Sequence, residues 1–150
     1  MAMPTVALPG APQLLIVPLT KQLIAQITGG LAERSGVLGF YDLSPGIERW
    51  ARRRSAYGVT AYLHNEFFGG SGFHAAVAWH DDTIVWGPSF TGSTIAEAAA
   101  HHYEAAERHD MAANTLLRWL GVQRGTHIDE YAAAGLSRHR WTDDWAALAS

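Results

Sequence analysis

The chain has 150 residues, 48% of them hydrophobic and 17% charged, which is the balance of a folded globular protein of one-domain size. Its formal net charge of −3 lacks the basic footprint of a nucleic-acid binder, so we expect no nucleic-acid partner. Cysteine is absent, which excludes disulfides, thiolate nucleophiles and zinc sites with sulfur ligands and fits a reducing, cytoplasmic location. No apolar run approaches the ~18 residues of a transmembrane helix, so we expect no membrane partner.

The N-terminal segment contains Pro4, Pro9, Gly10 and Pro12, which would break the helix of a signal peptide. We expect residues 1–12 to form a flexible arm and residues 13–150 to form a single domain. The apolar run at 13–19 predicts a strand. A helix follows, capped by Thr20 and ended by Ser35 and Gly36.

A second helix is predicted to begin at Ser44 and Pro45 and to stop at Tyr57 and Gly58. It carries four arginines, at positions 49, 52, 53 and 54. They are consistent with an anion site or with a solvated helix end whose charge suits the helix dipole, and we favour the solvated end.

The middle of the chain has the pattern of β-structure. Residues 59–68 are rich in branched and aromatic side chains. In residues 73–80, Phe73, Ala75, Val77 and Trp79 alternate with His74, Ala76, Ala78 and His80. Asp81 and Asp82 then predict a turn into a third strand, at 83–86, before Gly87 and Pro88. Short links of this kind predict an antiparallel meander.

The last third is predicted to be helical, over 94–109, after Asp110, after Asp129 and after Thr142. Because strands are clustered and do not alternate with helices, the fold class is α+β: a small antiparallel sheet of about three to four strands with helices packed on one face. The residues expected in the core are Leu23, Ile27, Trp50, Ala61, Leu63, Val77, Trp79, Leu116, Leu117 and Leu120.

A glycine-rich loop, Gly69-Gly70-Ser71-Gly72, joins two of the predicted strands. Such loops can cradle phosphate, but neither a P-loop nor a dinucleotide-binding fingerprint is present. We therefore interpret the loop as a hairpin connection or bulge.

Three histidines lie on the predicted sheet: His64, His74 and His80. His64 shares a strand face with Glu66, and His74 shares one with His80. If those faces coincide, a metal or acid–base site is geometrically feasible, whereas an amphipathic surface is the plainer interpretation.

Two further groups could carry function. Glu97, His101, Glu104 and Arg108 would form one stripe on a long helix. Carboxylates and a histidine at this spacing also occur in carboxylate-bridged iron sites, but the other predicted helices lack the matching Glu-x-x-His, so we interpret the stripe as a solvated face. The charged and aromatic residues of 127–131 and 136–145 would either fix the C-terminus through ion pairs or contact a partner.

The stretches YLHNEFFGGSGFHAAVAW (62–79), LLRWLGV (116–122) and DEYAAAGLSRHRWTDDW (129–145) resemble a group of small bacterial cytosolic proteins of unassigned function. The resemblance covers about half of the chain. By likeness of size and type it implies an immunity-type role, in which a small protein neutralises a toxin. It assigns no catalytic residue.

The sequence leaves three functions open. The first is a protein-binding module, with no cofactor, no bound metal and no catalytic residue. The second is a small enzyme or metal-binding protein that uses His64, Glu66, His74 and His80. The third is a homodimer that covers its own sheet. The candidate binding residues lie on and around the strands: Tyr62, His64, Glu66, Phe68, His74, Trp79, His80, Asp81, Asp82 and Trp86. Tyr62 and Phe68 are expected on an open face of the sheet, rimmed by His64, Glu66, His74 and His80.

Overall fold

The computed structural model describes residues 3–68 and 71–149, without the side chains of residues 67, 68 and 71. Over these residues the fold is α+β with helices packed against a small sheet, as predicted. In chain order the strands and helices are β1 (Val6–Leu8), β2 (Ala11–Ile16), α1 (Lys21–Thr28), α2 (Pro45–Arg54), β3 (Thr60–Phe68), β4 (Ser71–His80), β5 (Thr83–Gly92), α3 (Ile95–His101), β6 (Glu104–Ala105), α4 (Ala112–Trp119), α5 (Glu130–Ala133) and α6 (Thr142–Ala146).

The chain clusters into two compact units. One comprises Met1–Gly30 and Leu117–Ser150, and the other comprises Leu31–Leu116. The single domain predicted over 13–150 stays a prediction.

In the first unit, β1 and β2 form an antiparallel hairpin. Leu8 and Ala11 are buried in its core, so residues 6–12 are part of the fold and the expected arm is wrong for this stretch. Gly10 is required at the turn because a Cβ there would lie 1.7 Å from the carbonyl oxygen of Ala133. Its N–H donates to the carbonyl of Ala134 at 3.0 Å.

Helix α1 begins as predicted, with the Thr20 hydroxyl accepting from the N–H of Leu23. It ends at Gly29, which adopts the left-handed conformation, and not at Ser35 and Gly36. The core of this unit joins the hairpin to the C-terminal helices through Leu117, Val122, Ala133, Ala134, Leu136 and Trp145.

In the second unit the strand order is β3-β4-β5-β6. The first three strands form the predicted antiparallel meander, and the two-residue β6 adds in parallel to β5. Strand β5 continues past Gly87 and Pro88 to Gly92, farther than predicted. Helix α3 is shorter than predicted because His102 is left-handed (φ 59°) and ends it.

The register of β3 against β4 defines two faces of the sheet. The front face carries Tyr62, His64, Glu66, Phe73, Val77 and Trp79, and the back face carries Ala61, Leu63, His74, Ala76, Ala78 and His80. On the front face, Phe40 packs against Tyr62, and α3 approaches so closely that a Cβ on Gly92 would lie 2.6 Å from the nitrogen of Ala98. On the back face, the first N–H groups of α4 meet His74 and Thr91.

Burial agrees with much of the expected core. Leu23, Val77, Trp79, Leu116 and Leu117 are buried as predicted. Four others are half-buried: Ile27, Trp50, Leu63 and Leu120. Ala61 is exposed because it lies on the edge strand β3, which has a neighbour on one side only. Among the described residues, every helix is too short or too polar to cross a lipid bilayer.

Candidate functional site

The structure separates the candidate residues into three places. Tyr62, His64 and Glu66 lie on the front face, and His74 lies on the back face. His80, Asp81, Asp82 and Trp86 lie at the end of the sheet where β4 turns into β5. Trp79 is fully buried, and the side chain of Phe68 lies outside the described residues.

On the front face, His64 lies between two carboxylates. Its Nε2 is 3.6 Å from Oδ2 of Asp42 and 3.7 Å from Oε2 of Glu66. The ring of Tyr41 stacks over the imidazole at a centroid distance of 6.3 Å, and the imidazole is 15% exposed. Both separations are ion-pair distances and are longer than a hydrogen bond.

Tyr62 is half-buried, whereas it was expected on an open face of the sheet. The ring of Phe40 meets it edge-on at a centroid distance of 5.2 Å. Burial raises the pKa of the Tyr62 phenol far above its ordinary value, and the negative charge of Asp42 and then the neighbouring Tyr103 raise it further. The hydroxyl is therefore a neutral group at physiological pH.

Sequence reasoning missed the contribution of segment 40–43 to this cluster. Tyr41 and Asp42 are more than twenty positions from His64, and no motif or spacing links them to it. Tyr103 was missed as well, because it was assigned to the interior of a long helix. In the structure it lies after α3, against the ring of Phe73 at 5.7 Å. Burial, and then the charge of Glu66, raises the pKa of the Tyr103 phenol.

The stripe predicted from Glu97 to Arg108 is not a single helical face. Glu97 and His101 do form an i,i+4 pair at 3.3 Å within α3. Glu104 lies in β6, and Arg108 lies in a 3-10 turn, because the helix ends at His102.

His74 does not join His64. It pairs with Asn65 in the register, one residue away from His64, and a shift of one residue places a side chain on the opposite face. His74 is 3% exposed, and its Nδ1 accepts the N–H of Ala113 at 3.3 Å. The combined His/Glu/His site is thus wrong, and the described residues contain no group of three such side chains placed to hold a metal ion.

The turn-end surface consists of Val59, His80, Asp81, Asp82, Ile84, Val85 and Trp86. The side chains of Asp81 and Asp82 are 74% and 71% exposed. Val59, Ile84 and Val85, the aliphatic members, are 40–47% exposed, and Trp86 is half-buried. The predicted two-residue turn is confirmed, with positive φ at both aspartates, as a type I′ hairpin requires.

Helix α2 holds this turn in place. The N–H of Asp81 donates to the carbonyl of Ser55 and that of Asp82 to the hydroxyl of Ser55, both at 2.9 Å. Nε of Arg52 donates to Oδ1 of Asp82 at 2.6 Å. Nη2 of Arg52 also donates to the carbonyl of Asp82 at 3.1 Å, so four hydrogen bonds join the turn to one helix end.

A groove of about 680 Å³ runs between α2 and the turn, lined by Glu48, Arg49, Arg52, Arg53, Ala56, Asp81 and Asp82. Its charges are mixed, and Arg52 contacts both Asp82 and, at 3.7 Å, Glu48. Arg54 lies over the ring of Trp50 at 5.4 Å. These contacts agree with a solvated helix end and offer an anion little uncompensated positive charge.

The glycine-rich loop lies partly outside the description. The ladder between β3 and β4 reaches Phe68 and Ser71, which are partners, while Gly69 and Gly70 lie outside the described residues. Because β3 and β4 are antiparallel partners up to Phe68 and Ser71, the chain that joins them fits the interpretation as a hairpin connection.

The C-terminal stretch is used largely for internal contacts. Trp145 is buried, and its Nε1 donates to the carbonyl of His139 at 3.0 Å. Glu130 is buried and lies 3.2 Å from Nη1 of Arg118. Trp141 is exposed beneath the guanidinium of Arg140. Most of these contacts support the structural interpretation.

Comparison of the chain with protein-family models, with curated proteins and with solved structures finds no match. The geometry of the described residues is therefore the basis for assigning a function.

Proposed function

We propose that this chain is a cytoplasmic protein-binding module, an immunity-type inhibitor of a bacterial toxin or of a comparable protein, and that it binds through the turn-end surface. One observation carries the proposal. Val59, Ile84 and Val85 are exposed aliphatic residues near the end of the sheet that carries the Asp81–Asp82 turn, and both aspartate carboxylates are exposed. Exposed apolar groups accompanied by polar ones are typical of interaction sites.

The rigidity of the turn favours binding. Because Ser55 and Arg52 already hold Asp81 and Asp82, a partner would not have to order this loop at a cost in entropy. Charge defines the partner further. The carboxylate of Asp81 is 74% exposed, so it is accessible to a cation from a partner. Nδ1 of His80 lies 3.9 Å from it. The expected partner presents an apolar patch beside lysine or arginine side chains.

The immunity-type role rests on the resemblance of residues 62–79, 116–122 and 129–145 to small bacterial cytosolic proteins, together with the small size of the chain. A bacterial, cytoplasmic setting is part of the same proposal.

A second candidate function is a small enzyme, favoured by His64. Its Nε2 faces two carboxylates, and its Nδ1 is buried without a hydrogen-bond partner among the described residues. Such an imidazole could act as a general base. His64→Gln would abolish this activity while leaving the turn-end surface intact, so the two functions can be tested separately.

The test of the binding function uses the products of the genes beside this one. Each is co-expressed with this protein in a bacterial host, with growth as the readout, and binding is then measured by calorimetry. The double variant Asp81→Asn Val85→Ser should weaken binding about tenfold or more, because exposed anchors at an interface each contribute on the order of 1–2 kcal/mol. Asparagine retains the left-handed backbone of position 81.

The matched control is Ile95→Ser Asp110→Asn, which removes one exposed aliphatic side chain and one exposed carboxylate elsewhere in the same unit. It should bind like the parent. Equal affinity of the parent and the turn-end variant for a toxic neighbour would place the binding surface elsewhere. If this protein neither restores growth when co-expressed with a neighbouring gene product nor binds one, the immunity-type role is contradicted.

A further inference from the structure

The two edges of the four-stranded sheet differ in length. One edge is β6, which has two residues and is too short to template another strand. The other edge is β3, which has nine residues and pairs with β4 without a register shift. A long, regular edge strand presents a row of backbone donors and acceptors to its surroundings.

The register determines which residues of β3 present these groups. His80 and Thr83 flank the two-residue turn as partners, so the backbone N–H and C=O of His80 point towards β5. Backbone groups alternate in direction along a strand, so those of the other even-numbered residues of β4 also point towards β5 and those of the odd-numbered residues point towards β3. Thr60, Tyr62, His64 and Glu66 are the partners of those odd-numbered residues. The N–H and C=O groups of the alternate residues, Ala61 and Leu63 among them, therefore point away from the sheet.

Nothing within the described part of the chain bonds to the outward groups of Ala61 and Leu63. Ala61 is exposed, so this part of the edge is open to water. Monomeric proteins usually protect such an edge with lysine, proline or a bulge, and β3 has none of these. An edge with this sequence favours addition of a further strand.

We propose that the added strand is β3 of a second copy of this chain, in antiparallel orientation, so that the two sheets become one. A twofold axis makes the strand its own complement in length and hydrogen-bonding pattern. Antiparallel pairing directs Glu66 of one copy towards the Tyr62 end of the other, so the two Glu66 carboxylates do not face each other, as they would in a parallel, in-register pair.

This dimer goes beyond the proposed function, because it uses the strand edge and leaves the turn-end surface for another protein. Tyr41, which is 67% exposed and stacks on His64, lies over the same strand, where it would contact the second copy.

The test compares Leu63→Pro with Leu63→Ala in sedimentation velocity from micromolar to millimolar concentrations. Proline removes the outward N–H of residue 63 in both copies but no bond of the β3–β4 ladder. It should raise the dimer dissociation constant about 30-fold, the effect of two lost hydrogen bonds. Alanine keeps the N–H and should change the constant by less than about threefold, since the leucine side chain is only half-buried. Asp81→Asn Val85→Ser should dimerise like the parent.

Hydrogen exchange on the parent protein gives a second readout that does not depend on the folding of a variant. The amides of Ala61 and Leu63 should be protected only at concentrations where the dimer forms, while those of Tyr62 and His64 should be protected at all concentrations. A monomer throughout the concentration range would overturn the proposal. A dimer whose Ala61 and Leu63 amides exchange freely would overturn it too.

Discussion

Tyr62 lies under Phe40 on the front face, and burial, followed by the charge of Asp42 and the neighbouring Tyr103, raises the pKa of its phenol. The sequence placed Tyr62 on a strand but could not place Phe40, which is 22 positions earlier, above it. A tyrosine on an edge strand looked like a binding residue, whereas in the structure it is half-buried and the ring of Phe40 meets it edge-on.

The raised pKa of Tyr62 predicts a loss of stability at high pH. The unfolded chain releases the phenol proton near pH 10, whereas the folded protein holds it to a higher pH. Above about pH 10 the unfolded state therefore binds fewer protons, and the free energy of unfolding falls as pH rises. Tyr62→Phe should flatten this fall in urea titrations between pH 9 and about 11.5, relative to the parent.

A spectroscopic titration provides the control. The phenolate signal that appears at the highest pH in the folded parent should disappear in Tyr62→Phe. In Asp42→Asn it should move to lower pH, because this variant removes the negative charge that raises the pKa of Tyr62. Ionisation of Tyr62 near pH 10 in the folded protein would show that the residue is not buried.

Leu117 is a second single-residue case, because it is 3% exposed within the core of the first unit. Leu117→Ala should lower the free energy of unfolding by about 2–5 kcal/mol, from lost burial and the cavity left behind. Leu15, in β2, is 62% exposed, and Leu15→Ala should cost less than about 0.5 kcal/mol. Equal costs in denaturant unfolding would show that the packing of Leu117 is misassigned.

At the scale of elements, helix starts were predicted well from single side chains. Thr20, Ser44, Thr94 and Asp129 each accept the N–H three residues later, as their sequence positions indicated. Thr142 and Asp110 are exceptions. Helix α6 is preceded by Trp141 and has no side-chain cap, and α4 begins at Ala112, with the N–H of Ala113 bonded to His74 and not to Asp110. Caps are readable because they depend on bonds within one turn of chain.

These assignments predict a difference between two otherwise similar substitutions. Asp129→Ala should destabilise the protein by about 0.5–2 kcal/mol, because the carboxylate is buried and accepts the N–H of Ala132 at 2.8 Å. Thr142→Ala removes no cap and should cost much less. Thermal unfolding of both variants checks the order, and a larger loss for Thr142→Ala would contradict it.

Element ends that depend on distant contacts were predicted poorly. Helix α3 was expected to continue to residue 109, yet it stops at His102, and the chain then adds β6 beside β5. The alanine-rich pattern favours helix locally, but pairing with β5 satisfies backbone groups that a longer helix would have satisfied itself. Only the tertiary fold decides between those alternatives.

At the scale of the whole molecule, the separation of the histidines onto two faces has a consequence for metal binding. With His64 and His74 on opposite faces, and no suitable group of three ligands in the described residues, the protein should contain no stoichiometric metal as purified. A chelator should leave its melting temperature unchanged. A fall in melting temperature on chelation, together with about one metal per chain by elemental analysis, would contradict this.

The sequence by itself determined the α+β class, the meander, the Asp81–Asp82 turn and most helix starts. Each depends on local periodicity or on bonds between residues a few positions apart. Tertiary structure alone decided the faces of the sheet, the cover that Phe40 gives Tyr62, the carboxylates around His64 and the open edge of β3. Register decides the faces of the sheet, because a shift of one residue moves a side chain to the other face. The other features depend on strand order and on contacts between residues that are far apart in the chain.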